Sequence, residues 1–164
     1  MATDGNITVN VTDGNDAVSG ATVTLTDEDS QTTSETTDSD GAVTFEDVPN
    51  GTYNVSIEKE GYQTETTSVI VAGEDQTINS VLIAIDTLTI TVDDGESTPS
   101  AIEGATVTIG ETTKTTDSNG ECTFTDMPYE DYTAEISATG YITKTETIAF
   151  RSNHKSFTIS LTAE

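Results

Sequence analysis

Apolar and polar residues alternate along almost the whole chain. Ile7, Val9 and Val11 are separated by Thr8 and Asn10; Ala21, Val23 and Leu25 by threonines; Val43 and Phe45, then Tyr53, Val55 and Ile57, keep the same period. The later half repeats it with Leu88, Ile90 and Val92, then Ala105, Val107 and Ile109, then Cys122 and Phe124, then Tyr132, Ala134 and Ile136, and finally Phe157, Ile159 and Leu161. Successive side chains on a strand point to opposite faces, so a period of two marks strands with one buried and one wet face. Gly, Asp, Asn and Pro punctuate these runs as turns require, and no segment sustains a helical period. A half-polar sheet has to cover its apolar face with another sheet. The predicted class is therefore all-β, with about seven short strands per half in a Greek-key sandwich.

The two halves are copies. Ala17-Val18-Ser19-Gly20-Ala21-Thr22-Val23-Thr24-Leu25 returns as Ala101-Ile102-Glu103-Gly104-Ala105-Thr106-Val107-Thr108-Ile109, an offset of 84. Thr37-Asp38-Ser39-Asp40-Gly41 returns as Thr116-Asp117-Ser118-Asn119-Gly120 at an offset of 79, and from Asp38 to Thr66 13 of 29 positions are identical to their partners. The drop in offset puts a five-residue deletion where the first copy carries Asp27-Glu28-Asp29-Ser30-Gln31. Surface loops tolerate such changes, so the copies share a fold and differ at one edge. Two domains are expected, at residues 1–85 and 86–164. The junction from Ser80 to Val92 passes from one alternating run into the next with almost no linker, which predicts a stiff rod or fixed elbow.

Composition sharpens the class and narrows the partners. The chain has 35 threonines, whose branched Cβ favours extended backbone while the hydroxyl stays wet. Thirty acidic against five basic residues give a net charge of −25. Such a chain repels phosphate backbones and anionic lipid, so no nucleic-acid partner is expected. No apolar run approaches the ~20 residues of a membrane span, so no membrane insertion is expected either. Adaptation to high salt, where self-repulsion is screened, is a second reading of the acidity. The stretch Met1-Ala2-Thr3-Asp4-Gly5-Asn6 lacks the basic and apolar regions of a signal peptide, so the chain as written is expected not to be exported by one.

Candidate chemistry is sparse. The single histidine, His154, lies in the polar stretch Arg151-Ser152-Asn153-His154-Lys155 and reads as a solvated turn residue. The single cysteine, Cys122, excludes an intrachain disulfide and takes the place of Val43 in the alternation, so it reads as a small core hydrophobe. Carboxylates cluster at Asp13 with Asp16, at Asp27 to Asp29, at Asp38 with Asp40, and at Asp93, Asp94 and Glu96. None has the spacing of a dedicated calcium loop, and Asp is a normal turn residue. Asn6, Asn10 and Asn54 head glycosylation sequons that read as accidents of a Thr-rich sequence. No catalytic, cofactor-binding or metal site is expected.

The pattern Gly-Ala-x-Val-x-Leu/Ile, Thr-Asp-x-x-Gly-x-x-x-Phe, Val/Met-Pro, Tyr-x-Val/Ala-x-Ile and Gly-Tyr resembles the carboxypeptidase-regulatory-like, or prealbumin-like, Ig-type domains, twice over nearly the whole chain. The resemblance implies two tandem seven-stranded Greek-key Ig-like β-sandwiches, used as spacer, adhesin or display modules without catalysis of their own. One departure is Pro128-Tyr129-Glu130-Asp131-Tyr132, which lacks the glycine of Pro49-Asn50-Gly51-Thr52-Tyr53, so the second turn is expected to differ. The related collagen-adhesin B-type domains carry a Lys to Asn isopeptide crosslink; neither first strand here has a lysine, so no such bond is expected.

Ig-like repeats, no signal peptide and an acidic surface together point to a non-enzymatic decoration protein on the capsid of a tailed virus, a spike or turret assembled in the host cytoplasm. The implied partners are further copies in a symmetric homo-oligomer, a larger capsid or tail assembly, and a host-surface glycan or protein, with the first domain outermost. The alternative is a tandem segment of a secreted cell-surface adhesin. A third reading, an enzyme or calcium-dependent carbohydrate-binding accessory domain, ranks last.

Overall fold

The computed structural model describes residues 4–164, so the reading of the amino-terminal stretch lies in part outside the described residues. The chain divides into two compact units, Met1–Ala84 and Ile85–Glu164. No helix among the described residues is long and apolar enough to cross a membrane.

Domain 1 consists of β1 (Gly5–Thr12), β2 (Thr22–Thr26), β3 (Thr32–Thr36), β4 (Ala42–Val48), β5 (Gly51–Glu58), β6 (Glu65–Val71) and β7 (Gln76–Val81). They form a three-stranded sheet in the order β4-β1-β7 and a four-stranded sheet in the order β3-β2-β5-β6. The pairing is antiparallel except between β1 and β7, the first and last strands, which run side by side in parallel. Ile7, Val9, Val11, Val23, Leu25, Phe45, Val55 and Ile57 turn inward between the sheets, each at most 5% exposed. These are the residues the alternation selects, since the pleat sends every second side chain to one face.

Domain 2 repeats the plan with β8 (Ile85–Asp93), β9 (Thr106–Ile109), β10 (Thr112–Thr115), β11 (Glu121–Pro128), β12 (Asp131–Ser137), β13 (Lys144–Ala149) and β14 (Ser156–Ser160). Its sheets are β11-β8-β14 and β10-β9-β12-β13, again with a parallel pair of first and last strands. The chain is thus an all-β pair of tandem seven-stranded sandwiches.

The sequence motifs become hydrogen bonds. In domain 1 the Thr37 hydroxyl accepts from the Ala21 N–H at 2.9 Å and donates to the Val18 carbonyl at 2.7 Å. In domain 2 the Thr116 hydroxyl accepts from Ala105 at 2.9 Å and donates to Ile102 at 2.6 Å. Both threonines are 4% exposed, and each joins the start of one strand to the turn before another. The adjacent aspartate closes that turn: Asp38 Oδ1 accepts from the N–H groups of Asp40 and Ala42, and Asp117 Oδ1 from those of Asn119 and Glu121. Glycine completes it for a steric reason. Gly41 and Gly120 have φ of 74° and 73°, and a Cβ on either would collide with the carbonyl oxygen of Val11 or Val92.

Several of the outward threonines are also partnered. Hydroxyls pair across strands at Thr8 with Thr44, Thr24 with Ser34, Thr106 with Ser137 and Thr108 with Thr113, at 2.7–3.1 Å. Each such pair adds about 0.2–1 kcal/mol relative to alanines. The deletion falls where the repeat puts it. Leu25 pairs with Thr33 across a loop that Asp27 caps, whereas Ile109 pairs with Thr112 across a tight turn at Gly110.

Candidate functional site

Among the described residues, Cys122, His154 and the carboxylates that the sequence singles out form no group of three or more placed to hold a metal ion. Cys122 lies on β11, 7% exposed, and burial pushes its thiol up to about 11, so it stays protonated at neutral pH and packs as a small apolar group. His154 is exposed; its backbone exchanges hydrogen bonds with Arg151 at 3.0 and 3.2 Å, and its ring lies 4.1 Å from that of Phe157.

The carboxylate clusters are turn caps. Asp13 Oδ1 accepts from the N–H groups of Asn15 and Asp16, Asp27 Oδ1 from Asp29 and Gln31, and Asp94 Oδ1 from Glu96 and Ser100. Backbone N–H donors favour the ionised form, which holds Asp13, Asp94 and Asp117 below the ordinary carboxylate range. Among the described residues no group of three or more His, Cys, Asp or Glu is placed to hold a metal ion. Of the sequon asparagines, Asn6 accepts from the Asp47 N–H and Asn10 donates to the Asn79 side chain.

One cluster escaped the sequence reading. In domain 2 the Asp86 carboxylate on β8 accepts from the Tyr129 hydroxyl at 2.8 Å and from the Lys155 ammonium. The Lys155 hydrogen bond, the Thr87 N–H and the Tyr129 hydroxyl together hold the Asp86 carboxyl down to about 2, and the pairing in turn raises Lys155. These contacts hold the carboxylate as the anion between a phenol and an ammonium group. It ties the first strand of the domain to the residue preceding the last. The lysine stands just before the last strand and the acid on the first, whereas the crosslink weighed from the sequence calls for a lysine on the first strand. The signal was faint because Asp86 and Lys155 are 69 residues apart and neither sits in a motif.

The Pro-x-x-x-Tyr element works in both copies despite the missing glycine. Tyr53 donates to the Pro49 carbonyl at 2.9 Å and Tyr132 to the Pro128 carbonyl at 2.8 Å. Gly51 is not among the residues with positive φ, so its place accepts Glu130 in domain 2 without backbone strain. The expected difference in the second turn therefore does not extend to its hydrogen bond. Burial, and then Glu130, pushes the Tyr132 phenol up to about 12.

Two sandwiches with a shared scaffold define a tandem Ig-like β-sandwich protein. The sequence matches the carboxypeptidase regulatory-like domain twice, over residues 6–83 and 87–162, and the chain belongs to that family. No curated protein matches it. Among solved structures it is similar to the Bacillus anthracis TIE protein, with 18% identity over 98% of this chain and 34% of that one and a TM-score of 0.47. It is similar to a streptococcal ancillary pilin, with 16% identity over 99% of this chain and 63% of that one, and to the minor pilin of Streptococcus agalactiae, with 16% identity over 97% and 96%; both TM-scores are 0.49. The chain thus spans about a third of the first and under two thirds of the second. Likenesses at this level carry no functional argument.

Proposed function

We propose that the chain is a non-catalytic structural segment of a cell-surface protein, a spacer or display module of the adhesin type. The observation that carries the reading is that the scaffold is duplicated while the reactive groups are not. The Thr37 and Thr116 latches, the Asp38 and Asp117 turns and the Tyr53 and Tyr132 bonds recur at equivalent places. In contrast, Cys122, His154 and Lys155 stand where domain 1 has Val43, Asp75 and Gln76. Repetition that preserves shape and lets chemistry drift fits a part used for its form. The use of the family's domains as spacers and adhesins supports the cell surface over a capsid spike. The partners on this reading are neighbouring segments or copies in a larger surface assembly, with a host glycan or protein at the displayed end.

Immunogold labelling with antibodies to the recombinant chain tests this. Label on intact, unpermeabilised source cells is the expected result. Label confined to purified virions or to the cell interior refutes the location, and a hydrolase or transferase activity abolished by one substitution refutes the non-catalytic role.

A further inference from the structure

We propose that a cleft at the edge of domain 1 is a docking site for an extended basic peptide segment of a partner protein. The cleft has a volume of about 500 Å³ and lies between the strands that end the two sheets, β3 and β4. Its floor is apolar: Leu25, Phe45 and Val48, 3%, 5% and 7% exposed, together with the half-buried Tyr53. Tyr53 is fixed by its hydrogen bond to the Pro49 carbonyl. The rim carries the carboxylates of Asp27, Glu35, Glu46 and Asp47, with no Lys or Arg among the lining residues.

Both features select one kind of occupant. A ring of carboxylates around a partly desolvated floor attracts cations more strongly than the same charges spread over open surface. At the floor, burial first, and then the charges of the rim residue Asp27 and of Asp4 outside the cleft, push the Tyr53 phenol upward. Lysine and arginine fit because their methylene stems can lie on Phe45 and Tyr53 while the charged head reaches the rim. An extended backbone fits because β3 pairs only with β2 and β4 only with β1, so each leaves its outer edge open to another strand. Alternation along that strand would set apolar residues on the floor and basic ones at the rim.

Domain 2 has the same framework with the opposite filling. Glu35 is replaced by Lys114, Glu46 by Thr125, Val48 by Met127 and Asn50 by Tyr129. Tyr129 packs against Phe150 with ring centroids 5.1 Å apart, and Tyr132 does so at 6.4 Å. The loop that bears Asp27 and Gln31 in domain 1 is cut to a tight turn at Gly110. The cleft is thus a product of the divergence between the copies. The assignment goes beyond a spacer role and does not depend on where the chain resides.

The test uses the full 164-residue chain. It is titrated at physiological salt with a blocked octapeptide of alternating Lys and Val, and with the same peptide carrying Glu for Lys, while amide NMR shifts are followed. The expected result is saturable shifts at Leu25, Thr33, Glu35, Phe45 and Tyr53 with the Lys peptide and none with the Glu peptide. The double variant Glu35→Lys, Glu46→Thr takes domain 2's residues at exposed positions and should weaken binding at least about tenfold. The same charge change at Glu103→Lys, Glu121→Thr in domain 2 should alter it less than about twofold. Unchanged unfolding midpoints confirm that both variants fold. Shifts spread over both domains, equal weakening by the two double variants, or no saturable binding overturns the proposal. Concentration-dependent shifts at the cleft without peptide would mean that a second copy fills it, and overturn it as well.

Discussion

Replacing Thr37 with valine isolates what the paired latches contribute. Valine has nearly the shape of threonine, so the 4% exposed site keeps its packing and loses only the hydroxyl. That hydroxyl both accepts from Ala21 N–H and donates to the Val18 carbonyl. The substitution leaves these two backbone groups without that partner, and a buried polar group left unsatisfied costs about 1–3 kcal/mol. Allowing for partial relaxation, T37V should destabilise domain 1 by about 2–5 kcal/mol. A domain of this size is stable by only about 4–12 kcal/mol, so the loss is a large share of the total. Thr37→Ser keeps the hydroxyl and removes one methyl, at about 0.8 kcal/mol. The order of stability should be wild type, T37S, T37V, and the same order should hold in domain 2 for T116S and T116V, where the bonds are equivalent. Urea unfolding followed by amide NMR cross-peaks separates the domains, so each variant is scored on its own unit. A T37V loss below about 1 kcal/mol, or T37S no better than T37V, would refute the reasoning, because it would mean that water or a shifted backbone satisfies both groups.

Ser80 faces the domain 1 interior, 8% exposed, and its Oγ is buried with no hydrogen-bond partner; Ile159 fills the equivalent place in domain 2. Ser80→Val should therefore stabilise domain 1 by about 1–2 kcal/mol, read as a higher urea midpoint with unchanged slope. The Asp86 carboxyl, held at about 2 against an ordinary 3.8, contributes stability at pH values above 3.8 that is lost as pH falls through that window. Lys155, being raised, contributes below its ordinary 10.5 and loses that contribution as pH climbs through its folded pKa; subtracting Asp86→Asn from wild type across pH should show a difference that shrinks at both ends. With a net charge of −25, thermal stability should rise with sodium chloride toward molar levels, and millimolar calcium should add no saturable shift; a flat salt response with a saturable calcium effect would point to a metal site.

The all-β class, the duplication and the turn chemistry were legible because each rests on interactions spanning few residues. Alternation at Ile7, Val9 and Val11 follows from the pleat alone, and the Asp38 cap closes within four positions of its own sequence. Strands β3 and β10 were hidden because every residue in them is exposed, so no apolar period marks them; they exist through their pairing with β2 and β9. The parallel pairing of first and last strands and the Asp86–Lys155–Tyr129 cluster join positions tens of residues apart, where local periodicity is silent. The cleft combines both kinds of information. The deletion marked the edge at which the copies differ, but only closure of the two sheets brought Glu35 and Glu46 around Phe45, because a pocket is defined by which strands end a sheet and what covers the gap between them.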